Sequence, residues 1–175
     1  MKLKLITLAI PAIFAASSAF AAEGESSTVN FTGSVVETSC SLSAGSKGQT
    51  VPMGDVAANV FTGAGTTSQE RPFSITLEGC DIAANPGSVS IVFSGNAVSG
   101  KDDTLATSAV ATTKVGLQIL QAGAPLVIDG STASAGQTMV DGSNELAFSA
   151  RYIALDNSVA AGDANASANF TVNYQ

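Results

Sequence analysis

Few residues in this chain could do chemistry. Histidine is absent from its 175 residues, which removes the commonest general base and the commonest zinc ligand. The fourteen carboxylates are scattered through turn-like stretches, and no pair has a spacing that suits acid–base work. Asp156 and Asp163 share one such stretch and could touch a cation. The residues between them lack the ordered oxygen-ligand spacing of a calcium loop, so a solvated turn is the simpler reading. Gly63-Ala64-Gly65 has neither the third glycine nor the Lys-Ser/Thr end of a phosphate-binding loop. Three Asn-x-Ser/Thr triplets, at Asn30, Asn165 and Asn169, match glycosylation acceptors, but two of them sit in strand-like stretches. No catalytic group, metal set or cofactor site emerges, and an enzyme is not expected.

That leaves Cys40 and Cys80, whose meaning depends on the compartment. Lys2 and Lys4 precede an apolar run, Leu5 to Phe14, interrupted only by Thr7 and Pro11. Small residues follow, with Ala19 and Ala21 at the two positions a signal peptidase reads. This is the pattern of a secretory signal cleaved after Ala21, and the run is shorter than the roughly 20 residues a membrane span needs. Losing residues 1–21 would leave one domain's worth of chain with a core. It would also leave five basic residues against fourteen acidic ones, a net charge of −9. Such a surface repels nucleic acid and anionic membrane, so neither is an expected partner. In an oxidising exported compartment the cysteine pair most often forms a disulfide, two buried thiols being the alternative. Closing a loop of this length stabilises a fold by about 4 kcal/mol in the chain-entropy account.

The elements that would position these residues read as strand after strand. Val29, Phe31, Gly33 and Val35 fall on one face of an alternating segment. Phe73, Ile75 and Leu77 alternate with polar residues; Val89, Ile91 and Phe93 follow, then the run Val115 to Leu120. Pro125 to Ile128 is a short apolar run ending at Asp129-Gly130. Leu146, Phe148, Ala150 and Tyr152 form another stripe, and Ala168, Phe170, Val172 and Tyr174 the last. Period two with polar partners means strands buried on one face. Turn-like compositions separate them at 41–48, 83–87 and 160–165. The small-residue region 98–113 offers at most a helical turn. Short strands with frequent turns predict an antiparallel β-sandwich in a single domain.

Four features, in order, resemble the type 1-like pilins of the chaperone–usher pathway of Gram-negative bacteria. They are the alternating segment Val29–Val35 ahead of the first cysteine, Cys40 with the cysteine of Leu77-Glu-Gly-Cys80, Gly162 fourteenth from the C-terminus, and a final strand with Tyr174 next to last. The resemblance covers essentially the whole mature chain. It implies an all-β, incomplete immunoglobulin-like sandwich, completed by a donor strand from a neighbouring subunit. The chain would then divide into a signal peptide (1–21), a donor-strand extension (22–38) and a pilin domain (39–175). On this resemblance Val29, Phe31, Gly33 and Val35 would enter a neighbour's groove. Gly162, Ala168, Phe170, Val172 and Tyr174 would belong to the acceptor groove and its C-terminal strand. The implied partners are other pilin subunits, a periplasmic chaperone and an outer-membrane usher. The implied place is an extracellular fimbrium reached through the periplasm.

On pattern alone, residues 27–37 could equally be the first strand of a closed sandwich. A minor adaptor subunit of the fibre is an alternative. A carbohydrate-binding adhesin is another, but it is poorly supplied with aromatic residues, having no tryptophan and two tyrosines.

Overall fold

The computed structural model describes residues 27–31, 40–83 and 87–175. Residues 27–31 belong to a unit separate from the one that holds the other described residues. In the small unit, Ser27–Phe31 forms no regular element, and Val29 and Phe31 are exposed, Phe31 by 92 %. The expected signal peptide, and Gly33 and Val35 of the alternating segment, lie outside the described residues.

The larger unit is built from antiparallel pairs. One sheet runs β1 (Ser41–Leu42), β2 (Arg71–Cys80), β10 (Gly142–Ala154), β6 (Val115–Gln121), β5 (Lys101–Ala106) and β4 (Ala97–Val98). A short β7 (Ala124–Pro125) joins it beside β6. The other sheet runs β11 (Ala168–Tyr174), β3 (Ser88–Gly95) and β8 (Asp129–Ala133), and β9 (Gln137–Thr138) also pairs with β3. The order β1-β2-β10-β6 facing β3-β11 is that of the two sheets of an immunoglobulin-like sandwich.

The period-two stripes form the core as expected. Ile75 and Leu77 of β2, Val89, Ile91 and Phe93 of β3, and Leu146, Phe148, Ala150 and Tyr152 of β10 are buried. Phe148 stacks on Phe73 at 5.7 Å and meets the edge of Phe93 at 5.3 Å between centroids, an offset and edge-on pairing that aromatic quadrupoles favour. The disulfide joins Cys40 to Cys80 at the end of β2, and the Met139 sulfur lies 3.8 Å from the Cys40 sulfur.

Several local expectations are corrected. The stretch 41–48, read as loop, contains β1 and a 3-10 turn at Ala44–Ser46. Region 98–113 supplies the strand β5 as well as one helical turn, Val110–Thr113, ended by Lys114 in the left-handed region at φ 58°. The run 125–128 is mostly irregular: only Pro125 lies in a strand, and β8 begins at Asp129.

Candidate functional site

Strand β11 pairs on one side only among the described residues, with β3. Its side chains alternate without exception between half-buried and exposed, the half-buried set being Ala168, Phe170, Val172 and Tyr174. The β3 partners of Phe170, Val172 and Tyr174, namely Phe93, Ile91 and Val89, are buried. An inward apolar row that stays half-covered on an edge strand is a row awaiting cover.

The backbone of β11 points the same way. Gln175 and Ser88 exchange both hydrogen bonds, each N–H donating to the other's carbonyl at 2.9 Å. In an antiparallel ladder, bonded and non-bonded pairs alternate. The register therefore bonds Asn173, Thr171 and Asn169 to β3 and turns the N–H and C=O groups of Tyr174, Val172, Phe170 and Ala168 to the open edge. The residues with half-covered side chains are thus the residues with unpaired main chain.

Beside this edge lies a groove of about 870 Å³. Residues 164–170, leading into and including the start of β11, form one wall, and residues 47–54 form the other. Phe73, Ile75, Phe93, Leu117, Ile119 and Tyr152 are among the residues on its apolar floor. The 47–54 wall starts in a turn at Lys47–Gly48 and has no sheet pairing among the described residues. Arg71 braces it, its Nε donating to the Met53 carbonyl at 3.3 Å. A smaller cavity of about 330 Å³ follows, lined by Phe61, Thr113, Val115 and residues 159–165. Gly54, Tyr152, Ala164 and Asn165 line both.

The expected acceptor residues are divided along this path. Ala168 and Phe170 line the groove; Val172 and Tyr174 continue the same face beyond it, packed against the core. The Tyr174 hydroxyl donates to the Cys40 carbonyl at 3.5 Å, and burial raises its pKa. Gly162 lines the smaller cavity instead, where a Cβ would come within 2.9 Å of the Thr113 methyl. The second wall, 47–54, was missed in the sequence: its weak alternation of Val51 and Met53 is interrupted by Pro52 and Gly54. Among the described residues no cluster of three or more metal-ligating side chains occurs.

The model of the fimbrial protein family matches residues 29–175. The chain belongs to that family. A fimbrial-like protein of Escherichia coli (strain K12), SfmA, is 38 % identical over the full length of both chains. The fimbrial subunit type 1 of Salmonella typhimurium is 37 % identical, also over the full length of both. A solved chaperone–usher pilus whose rod uncoils contains a chain that is 31 % identical, with a TM-score of 0.76 over 86 % of this chain and 96 % of that one. This fimbrial protein is a structural subunit of an extracellular bacterial pilus with an immunoglobulin-like fold, and its family and fold point away from catalysis.

Proposed function

We propose that this fimbrial subunit polymerises by donor-strand exchange. Residues 22–38 of one copy act as the extension, with Val29, Phe31, Gly33 and Val35 facing into the groove of the next copy's 39–175 domain. The observation that carries this is the coincidence on β11 of a half-covered apolar row, outward-facing main chain and a long apolar groove. An extended segment of alternating apolar residues is the occupant that answers all three. Its backbone continues the sheet and gives affinity, and its alternate side chains fill the floor and give specificity. The exposed Val29 and Phe31 supply such a face.

Burying Val29, Phe31 and Val35 contributes roughly 1.5–3 kcal/mol each, so about 5–9 in total. A whole domain's net stability is only about 5–15 kcal/mol. The subunit before exchange is therefore marginal and its edge prone to aggregation, which calls for a periplasmic chaperone to hold the groove and an outer-membrane usher to hand subunits over. Removal of residues 1–21 as a signal peptide delivers it to the periplasm.

Gly33→Leu tests the assignment. The variant should be exported at the normal level but yield little surface fibre, because a branched side chain replaces the one gap in the donor face. Fibres in normal amount from this variant would remove Gly33 and its neighbours from the interface.

A further inference from the structure

Among the residues that line the groove, one carries a charge, Lys47. The chain is held in place at that point. Ser46, buried beside it, accepts the Thr76 N–H of β2 on its hydroxyl at 2.9 Å, and its own N–H donates to the Ser43 hydroxyl at 3.2 Å. Gly48 then turns the chain at φ 62°, a left-handed conformation that favours glycine. Lys47 is exposed, so its aliphatic stem can lie along apolar surface while the ammonium stays in water. Among the described residues the one ion pair joins Arg151 to Glu70 at 3.5 Å, which leaves Lys47 without a carboxylate. Lys47 lines only the larger groove, whereas Gly54, at the other end of the same wall, also lines the smaller cavity, as do Asp55 and Asp163. The path is therefore cationic at one end and anionic at the other.

Strand donation sets two bodies of like charge against each other. Residues 39–175 hold eleven acidic residues against five basic ones, a net charge of −6. Residues 22–38 hold Glu23, Glu25 and Glu37 and no basic residue, a net charge of −3. The stretch from Val29 to Val35 is uncharged, so the acids flank it, two ahead and one behind. We infer that Lys47 is the docking residue for the acidic N-terminal flank of an incoming copy's extension, with Glu25, the nearer acid to the apolar face, as its partner. This rests on the donor-strand reading and goes further by naming the contact that steers the strand to the groove. The polarity follows from charge. Seated this way, the extension brings Glu23 and Glu25 to the cationic end and only Glu37 toward Asp55 and Asp163. Reversed, it would set two acids against those two. An exposed pair of this kind adds little affinity. Its effect lies in the encounter, where one cation in a field of acids speeds association and makes it sensitive to salt.

A charge exchange in the full chain tests this, reading surface fibre and, separately, the amount of disulfide-bonded subunit in the periplasm. Lys47→Glu should lower fibre about three-fold or more with subunit amount unchanged, and Glu25→Lys should do the same. The chain carrying both exchanges restores an opposite pair at every contact and should recover most of the loss. Lys101→Glu makes the same change of net charge on β5, away from the groove lining, and should assemble as wild type does. Normal fibre from Lys47→Glu, an equal loss in Lys101→Glu, or a double variant no better than either single one overturns the role of Lys47. Phe31→Asp serves as the arm for the underlying reading. If it assembles normally, strand donation itself is wrong and the inference falls with it. If it abolishes fibres while the charge exchange rescues nothing, strand donation stands and Lys47 is removed from it. Rates are read on full-length subunit mixed with a synthetic peptide covering residues 22–38. Lys47→Glu should slow uptake about three- to ten-fold at low salt, and wild-type subunit should take up the Glu25→Lys peptide equally slowly. Both differences should vanish near 1 M salt, where the screening length is about 3 Å. Uptake that is equally fast at low salt, or a difference that salt leaves unchanged, overturns the inference.

Discussion

At the scale of single residues, one carboxylate and one tyrosine carry distinct loads. Asp129 opens β8, and its Oδ1 accepts from the N–H groups of Thr132 and Ser131, both at 2.7 Å, while its Oδ2 accepts from the Thr132 hydroxyl at 2.8 Å. Those donors, the Thr132 and Ser131 amides foremost, favour the charged form and hold its pKa well below the ordinary carboxylate range. A depressed folded-state pKa gives stability that is present above the unfolded value, about 3.9, and is lost as pH falls toward the folded one. Asp129→Ala should therefore lower the melting temperature at pH 7, with the gap to wild type constant down to about pH 4 and closing below it. Identical melting at pH 7 would show the turn to be held by other contacts. Tyr174 is half-buried at the far end of β11, and on the donor-strand proposal it anchors whatever covers that strand. Tyr174→Ala should reduce periplasmic subunit several-fold by weakening chaperone capture. Unchanged subunit levels together with unchanged chaperone binding would take Tyr174 off the acceptor surface.

At the scale of elements, the two edges of β11 do different work, and proline separates them. Thr171 bonds to β3, so Thr171→Pro removes a ladder hydrogen bond and should prevent folding. The Val172 N–H faces the open edge, so Val172→Pro should leave a folded, disulfide-bonded subunit that fails to accept a strand. Equal yields of folded subunit from the two variants, by periplasmic fractionation, would contradict this register. How much of this was legible in the sequence follows from burial. Strands β2, β10 and β11 each present one face to the core, so their period-two stripes showed directly; β3 is buried on both faces from Val89 to Phe93, and its stripe showed because Ser90 and Ser94 break the apolar run. The run of β6 was visible because both of its faces are buried, Gln118 among them, whose amide donates to the Asp103 carboxylate at 2.9 Å. Strand β5 was invisible: Lys101, Asp102 and Asp103 open it, and only Thr104 and Leu105 are buried. Its strand state comes from pairing with β4 and β6, a tertiary cause that local pattern does not carry. The 47–54 wall was hidden for the same reason. Its role comes from standing opposite β11, and its own residues read as loop.

At the scale of the whole molecule, the domain is a sandwich of two sheets with a half-covered apolar row along β11. The disulfide from Cys40 to Cys80 ties the chain just before β1 to the end of β2. On the donor-strand proposal, the extension of one subunit serves the next while its own groove is filled by another, and repetition of one contact builds a fibre. The sequence carried the final strand and the alternating segment to which the proposal gives the donor role. It could not show how Tyr152 is anchored, because that depends on Ser68 bonding its backbone and Ala164 its hydroxyl from distant parts of the chain.

The most direct test of strand completion is the melting of a chain reduced to residues 39–175, with and without a synthetic peptide covering residues 26–38. The account predicts a marginal domain whose melting temperature rises steeply with peptide, in step with the roughly 5–9 kcal/mol of apolar burial the strand brings. A reduced chain that already melts cooperatively at high temperature and ignores the peptide would mean that the sandwich is complete without a donor.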